Sequence, residues 1–260
     1  MAILLVESPE KGKWGLGKKM IFWTLAHPAW DEVNPPDDFL SGEERKRLSE
    51  FRFQKRRTDW LRGRWTAKKL LQLADPSCRN LPIQTVQVAN EPEGAPYLLI
   101  GENQRYPGIL SISHCGPYAL CALSKSRMGC DLEHIERRSD IFIEDFFTRA
   151  EVQRVRESSD DLRPILVNLI WSMKEAVLKS IGKGLRLDTR MVEVDPPPDL
   201  TIAKAEKPGW KSVMVHSPAV TRPISAWWQL KYEYILTLAA IPDAEETTTL
   251  KLKEIRFSPD

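Results

Sequence analysis

Trp171-Ser172-Met173-Lys174-Glu175-Ala176-Val177-Leu178-Lys179 reads as helix, and at helical spacing Trp171, Glu175 and Lys179 stand four residues apart on one stripe. Leu166, Ile170, Met173, Val177 and Ile181 give that helix an apolar face beside the stripe. Pro164 suits its first turn and Gly182 its C-terminus, so a helix is predicted over 164–181. Upstream, Gly129-Cys130-Asp131-Leu132-Glu133 ends a strand predicted over 128–133, which puts Asp131 and Glu133 on one face and Leu132 on the other. Three carboxylates and an ammonium then converge where a strand end meets a helix. That setting suits a magnesium ion carrying a phosphorylated ligand.

Each half of this signal has a plainer reading. Most Asp-x-Glu triplets are solvated or salt-bridged, and Glu175 with Lys179 is also the spacing of a surface ion pair worth about 0.3–0.5 kcal/mol. Against this, carboxylates ending an apolar strand are costly unless paired or bound to an ion. Tryptophan is also unusual on a solvated helix face.

Working outward, residues 1–20 read as a lysine- and glycine-rich lead-in, Met20 to Leu25 as a first strand, and Asn34 to Asp38 as a loop. Ser41-Gly42-Glu43-Glu44 opens a helix, with Ser41 as N-cap and an acidic first turn. A longer helix follows over 57–74, with Trp60, Gly63, Ala67, Leu70 and Ala74 on its buried face and Asp75-Pro76 as its stop. Short strands and turns then alternate: Tyr97–Ile100, Ile109–Ser113, a turn at Gly116-Pro117, and Tyr118–Ser124. A helical region is predicted over 141–157, strands over 227–232 and 234–239, and a polar tail with one possible strand after Asp243. The division expected is a lead-in (1–20), an N-terminal lobe (21–125), a C-terminal lobe (126–243) and a tail (244–260). No residue-level repeat is read, so any internal duplication is expected to be structural only. Strands arriving in hairpins favour an α+β architecture over a doubly wound one.

The chain has 260 residues, 42% hydrophobic and 28% charged, with a formal net charge of +2, an ordinary balance for a globular protein. Its longest apolar run near the start, Ala2 to Val6, is too short for a signal peptide or a membrane span, so no membrane association and a cytoplasmic location are expected. Cys78, Cys115, Cys121 and Cys130 have neither metal-ligand spacing nor a redox motif and read as reduced, structural thiols. Arg57, Arg64 and Lys68 form a basic ridge, at i, i+7 and i+11, beside the buried stripe of the long helix. Such a ridge suits a phosphate-rich small molecule or RNA, and the scarcity of interleaved exposed aromatics disfavours nucleic acid. His114, in Ser111-Ile112-Ser113-His114, is either a core histidine satisfied by backbone or a phosphate donor at a strand end.

Taken together, these segments resemble the 4′-phosphopantetheinyl transferases of the Sfp type. The matching pieces occur in family order: residues 60–68 (Trp-Leu-Arg-Gly-Arg-Trp-Thr-Ala-Lys), 111–114 (Ser-Ile-Ser-His), 129–133 (Gly-Cys-Asp-Leu-Glu), 146–151 (Phe-Phe-Thr-Arg-Ala-Glu) and 171–179. The resemblance implies two pseudo-symmetric α+β lobes, each a small antiparallel sheet packed with helices, and a monomer binding coenzyme A and magnesium (or manganese) between the lobes. It implies Asp131, Glu133 and Glu175 as metal ligands, with Glu175 or a bound water activating the attacking hydroxyl. It casts Asp131, Glu175 and Lys179 as catalytic, Lys179 neutralising charge on the transferred phosphate. Arg64, Lys68, Lys69, Ser113, His114, Asp131, Lys174 and Lys179 are implied around the coenzyme, with Arg45 or Arg47 as further candidates. The implied acceptor is a serine of an apo acyl or peptidyl carrier protein, and the implied leaving product is 3′,5′-ADP. Arg137, Arg138 and Arg149 are candidates, by location, to meet the carrier's acidic helix. Two departures stand out. Ala95 occupies a position where the family often has lysine, removing one expected coenzyme contact, and Cys130 replaces a branched aliphatic residue.

Two other readings compete. One is a catalytically silent homologue that binds coenzyme A or a carrier domain. The other is an RNA-binding module using the basic helix, whose binding would collapse with salt and need no magnesium.

Overall fold

The computed structural model describes residues 14–16, 19–26, 37–182, 184–242 and 250–256. Most of the expected lead-in, residues 34–36 of the expected loop, residue 243, and residues 244–249 and 257–260 of the expected tail lie outside the described residues. In chain order the elements are β1 (Met20–Ala26), α1 (Gly42–Ser49), α2 (Gln54–Ala74), β2 (Val86–Asn90), β3 (Pro96–Ile100), β4 (Gln104–Arg105), β5 (Ile109–Cys115) and β6 (Tyr118–Ser124). They continue with β7 (Arg127–His134), α3 (Asp140–Phe146), α4 (Arg149–Arg156), α5 (Arg163–Ile181), β8 (Glu193–Asp195) and α6 (Ile202–Glu206). The last are β9 (Lys211–Ser212), β10 (Met214–His216), β11 (Ser225–Lys231), β12 (Tyr234–Ile241) and β13 (Lys251–Glu254). This is an α+β chain of small, mainly antiparallel sheets packed with helices.

Two compact units divide the chain. The first comprises Met1–Ile112, Pro117–Lys125 and Lys251–Asp260; the second comprises Ser113–Gly116 and Ser126–Leu250. Each unit is thus discontinuous in sequence. A short piece of β5 belongs with the second unit, and the segment expected as tail supplies β13 to the first. There Met20 pairs with Lys251 in parallel, and the Ile255 amide donates to the Trp23 carbonyl at 2.8 Å.

In the first unit, α2 lies on the sheet β13-β1-β6-β5, burying Ala67, Leu70 and Leu71 against Phe22, Cys121 and Leu123. In the second, α5 lies on the sheet β7-β12-β11-β9, and Leu169, Ile170, Met173 and Val177 meet Ile235, Ala239 and Trp228. Almost all of α5 is buried, because α4 and β8 also pack against it. A helix covered on opposite sides loses the polar face that periodicity alone would assign it. Its end is sharp: Gly182 takes a left-handed φ of 78° as C-cap, a conformation open to glycine at low cost.

Two boundaries differ from the sequence reading. The helical region expected over 141–157 is broken at Phe147-Thr148, because Thr148 caps α4 with its own side chain. The hairpin β11–β12 turns through Tyr232 and Glu233, both with left-handed φ (53° and 62°). That is the geometry of a tight two-residue turn without its usual Asn-Gly signal.

The two units repeat one device residue for residue, which corrects the expectation of a duplication without sequence trace. In the first, Glu44 Oε2 accepts from the Ser41 amide (2.9 Å) and from Lys68 Nζ (2.5 Å), while Oε1 accepts from the Val88 amide (2.9 Å). In the second, Glu151 Oε2 accepts from the Thr148 amide (2.7 Å) and from Lys174 Nζ (2.8 Å), while Oε1 accepts from the Val194 amide (2.8 Å). Both glutamates close a capping box. Phe39 meets Trp65 edge-on at 5.2 Å, and Phe146 meets Trp171 in the same way at 5.2 Å. The shared pattern is Phe-x-(Ser/Thr)-x-x-Glu, then Trp-(Thr/Ser)-x-Lys, then Val.

Candidate active site

Gly129 is what lets α5 approach β7. A Cβ there would stand 2.2 Å from the Ala176 carbonyl oxygen and 2.7 Å from Lys179 Cβ. The close contact brings the last turns of α5 over the end of β7. The Thr237 hydroxyl, bonded to the Ser172 carbonyl at 3.0 Å, fastens the neighbouring strand β12 to the same helix.

Asp131 is 2% exposed. Its Oδ1 accepts from Lys179 Nζ at 2.6 Å and from the Ser113 hydroxyl at 2.8 Å. Its Oδ2 is buried and has no hydrogen-bond partner. Lys179 Nζ also lies 3.6 Å from Glu175 Oε2, so one ammonium bridges the two carboxylates. Burial alone would lower the Lys179 pKa, but Asp131 and Glu175 overcome it and hold the ammonium above its ordinary value. The Glu175 carboxyl is pushed up by burial and by the charge of Asp131.

Glu133 is engaged elsewhere. Its Oε1 accepts from Trp171 Nε1 at 3.0 Å, and its Oε2 accepts from the Arg138 guanidinium at 2.8 Å. Burial, with the charge of Asp131, raises its pKa to about 7. Among the described residues, no three acidic, histidine or cysteine side chains stand close enough to hold an ion as they are. The donor chemistry nevertheless fits a hard divalent cation: a buried, unpartnered carboxylate oxygen, a second carboxylate bridged to it by an ammonium, and a third one residue along the strand face. Magnesium needs only one or two carboxylates when water and phosphate oxygens complete its shell.

Lys68 and Lys174 are where the sequence expectation requires correction. Both are fully buried. Lys68 Nζ is held by Glu44 and the Phe39 carbonyl (2.8 Å), and Lys174 Nζ by Glu151 and the carbonyls of Thr189 and Val192. An ammonium fully buried and bonded to a glutamate and to backbone carbonyls inside the core is not presented to a coenzyme phosphate. Arg64 is also buried, stacked 3.7 Å from the Trp60 ring centre and bonded to Asn90 at 3.1 Å. Its Nε is unpartnered, and burial lowers its pKa to about 10. Lys69, half-buried, lies over the Trp65 ring at 4.9 Å. His114 is exposed, on the strand face opposite Ser113.

Sequence reasoning missed the roles of Glu44, Glu151 and Asn168. The signal for the glutamates was present, since Ser41-x-x-Glu44 and Thr148-x-x-Glu151 both have capping-box spacing. Asn168 carried no signal, because the partners that tie it to the segment before α3, Arg138 and the Glu136 carbonyl, lie about thirty residues away.

A strand carboxylate, Asp131, and a helical one, Glu175, bridged by the Lys179 ammonium, make an arrangement that suits a phosphate-bearing ligand. Residues 127–237 match the model of the 4'-phosphopantetheinyl transferase superfamily. The L-aminoadipate-semialdehyde dehydrogenase-phosphopantetheinyl transferase of Xenopus laevis is 27% identical over 166 residues, covering 60% of this chain and 54% of the relative. The 4'-phosphopantetheinyl transferase Sfp of Bacillus subtilis (strain 168) is 32% identical over 77 residues, covering 30% of this chain and 34% of the relative. The chain thus spans about half, or less, of the length of these curated relatives. Among solved structures, the holo-[acyl-carrier-protein] synthase of Thermotoga maritima aligns with a TM-score of 0.35 at 16% identity, covering 45% of this chain and 62% of that one.

Proposed function

We propose that this chain transfers the 4′-phosphopantetheine group of coenzyme A to a serine of an apo acyl or peptidyl carrier protein, with magnesium, or manganese in its place, and with 3′,5′-ADP as leaving product. The observation that carries this reading is the convergence of Asp131, Glu175 and Lys179, with the Asp131 Oδ2 buried and unpartnered, inside the segment that matches the family.

Asp131 and Glu175 would hold the ion, with Glu133 joining them. When bound, the ion supplies Lewis-acid neutralisation of phosphate oxygens. Glu175, with its carboxyl pushed up by burial, is poised to take the serine proton as the new O–P bond forms, unless a water does so. The bond from phosphorus to the ADP oxygen breaks, and the Lys179 ammonium is placed to steady the charge that departs with it. Ser113 holds Asp131 in position. Arg64, Lys69 and His114 remain candidates for coenzyme phosphates, and Arg137 and Arg149 for the acidic helix of a carrier. The reading takes the protein as a cytoplasmic monomer; among the described residues no helix is long and apolar enough to cross a membrane.

The test is to incubate the protein with an apo carrier, coenzyme A and magnesium, and weigh the carrier by intact mass spectrometry. A phosphopantetheine mass gain that disappears with chelator is expected. Coenzyme binding without any gain, across carriers of fatty-acid, polyketide, peptide and lysine-pathway type, would instead favour a silent homologue.

A further inference from the structure

Glu133 shares a strand face with Asp131, yet its two oxygens point into a network of a different kind. The Arg138 guanidinium donates to Glu133 Oε2 at 2.8 Å through one terminal nitrogen. Through Nε it donates to Asn168 Oδ1 at 3.2 Å. Asn168, buried on α5, is locked in turn by its amide, which donates to the Glu136 carbonyl (2.7 Å) and the Pro164 carbonyl (2.8 Å). The guanidinium also lies 4.9 Å from the Phe142 ring centre, and Phe142 packs against Trp171, the second donor to Glu133. Arg138 is therefore oriented by α5 and by the aromatic cluster; its Nε also lies 3.4 Å from the exposed Glu136 carboxylate, and its shorter contact is the one to Glu133. The side chains of Glu133 and Arg138 are 19% and 20% exposed, so the pair is partly desolvated and exerts more force than a surface pair.

We propose that Arg138 is a positioning residue that competes with the divalent cation for Glu133. In the metal-free protein the guanidinium supplies the positive charge that Glu133 needs; cation binding requires Glu133 to exchange Arg138 for the ion. This inference rests on the metal reading given above and concerns how the same site is regulated. Glu133 would turn its carboxylate from Arg138 toward Asp131, with which it shares a strand face. Metal affinity is then set partly by how firmly Asn168 and Phe142 hold the guanidinium, not only by the carboxylates themselves.

Isothermal titration of the full chain with Mn2+, without coenzyme, tests this directly. Arg138→Gln should tighten Mn2+ binding roughly two- to fivefold, the range for losing one partly exposed ion pair. Arg138→Lys should fall between the variant and the wild type. Arg137→Gln, which removes the same charge one residue away without touching Glu133, should leave affinity unchanged. In a Glu133→Gln background the gain from Arg138→Gln should vanish. Unchanged or weaker binding in Arg138→Gln overturns the proposal, as does a gain that persists without Glu133 or one matched by Arg137→Gln. If no variant and no wild-type protein binds Mn2+, the metal reading itself falls and takes this inference with it. Binding that ignores Arg138 removes this inference alone. Thermal melts of each variant in chelator identify any that fail to fold, and Arg138→Lys keeps the test available if Arg138→Gln does.

Discussion

Glu151 and Lys174 face each other at 2.8 Å with their side chains 1% and 0% exposed, and Glu44 and Lys68 do the same at 2.5 Å in the other unit. Each glutamate also ties a helix start to a strand through its second oxygen. These pairs are structural pins. Removing one partner strands a charge in the core, which typically costs about 3–5 kcal/mol, whereas replacing both with apolar residues often restores much of the loss. Lys174→Met should therefore destabilise the protein by about that amount in urea titrations, and Glu151→Leu/Lys174→Met should recover part of it. Were Lys174 a coenzyme clamp instead, Lys174→Met would weaken coenzyme binding and leave the denaturation midpoint in place.

Gly129 and Ala176 give a second test. A methyl group 2.2 Å from a backbone carbonyl has no flexible neighbour to displace, so the helix must move. Gly129→Ala should lose at least about 1–3 kcal/mol, as overpacked cores do. Because the same shift carries Lys179 away from Asp131, it should also lower turnover more than its stability loss explains. Activity measured well below the melting temperature of the variant separates the two effects. Normal turnover would show that the close approach is not what sets the Lys179–Asp131 distance.

The raised Glu133 predicts a pH dependence of stability in chelator. Its folded-state pKa of about 7 lies above the ordinary 4.5, so the native state holds more protons than the unfolded chain between those values. Stability from this group is present in full below about pH 4.5 and is lost as pH rises through 7, by at most about 3 kcal/mol before solvent screening. Glu133→Gln, fixed in the neutral form, should melt higher than wild type at pH 8 and close to it at pH 5. A difference that does not change across this range would show that Glu133 is ionised normally.

Parts of this arrangement are legible in the sequence because they depend on near neighbours. Strand alternation places Asp131 and Glu133 on one face, and helical spacing places Glu175 one turn before Lys179. Lys68 and Lys174 are not legible in this way. A lysine in a basic ridge looks the same whether it meets solvent or a glutamate more than twenty residues earlier in the chain, and only the fold brings Glu44 and Glu151 to them. The internal repeat hides for a similar reason: its shared positions are spread thinly over some fifty residues of each unit. Once the units are compared, the repeat is informative. Trp65, Thr66 and Lys68 match Trp171, Ser172 and Lys174, whereas Lys69 stands where the other copy has Glu175, and Leu73 where it has Lys179. What the copies share is scaffold, and what they do not share is the proposed chemistry.

Lys179 offers the sharpest separation of scaffold from chemistry. Its ammonium neutralises a buried Asp131 and a half-buried Glu175, so in the metal-free protein it acts as the missing cation. Lys179→Met should destabilise the chain in chelator by a few kcal/mol, about the cost of leaving a buried carboxylate unpaired. A divalent cation should then stabilise this variant more than it stabilises wild type, because the ion replaces the lost charge and no longer competes with it. Turnover should stay low even with the ion bound, falling on the order of 10²–10³-fold as when one transition-state donor is lost, while coenzyme affinity changes little. Melting curves with and without Mg2+, alongside single-turnover carrier labelling, read both quantities on the same samples. If Mg2+ stabilised variant and wild type equally, Lys179 and the ion would not share a site. If labelling were near normal, Lys179 would be scaffold like Lys174.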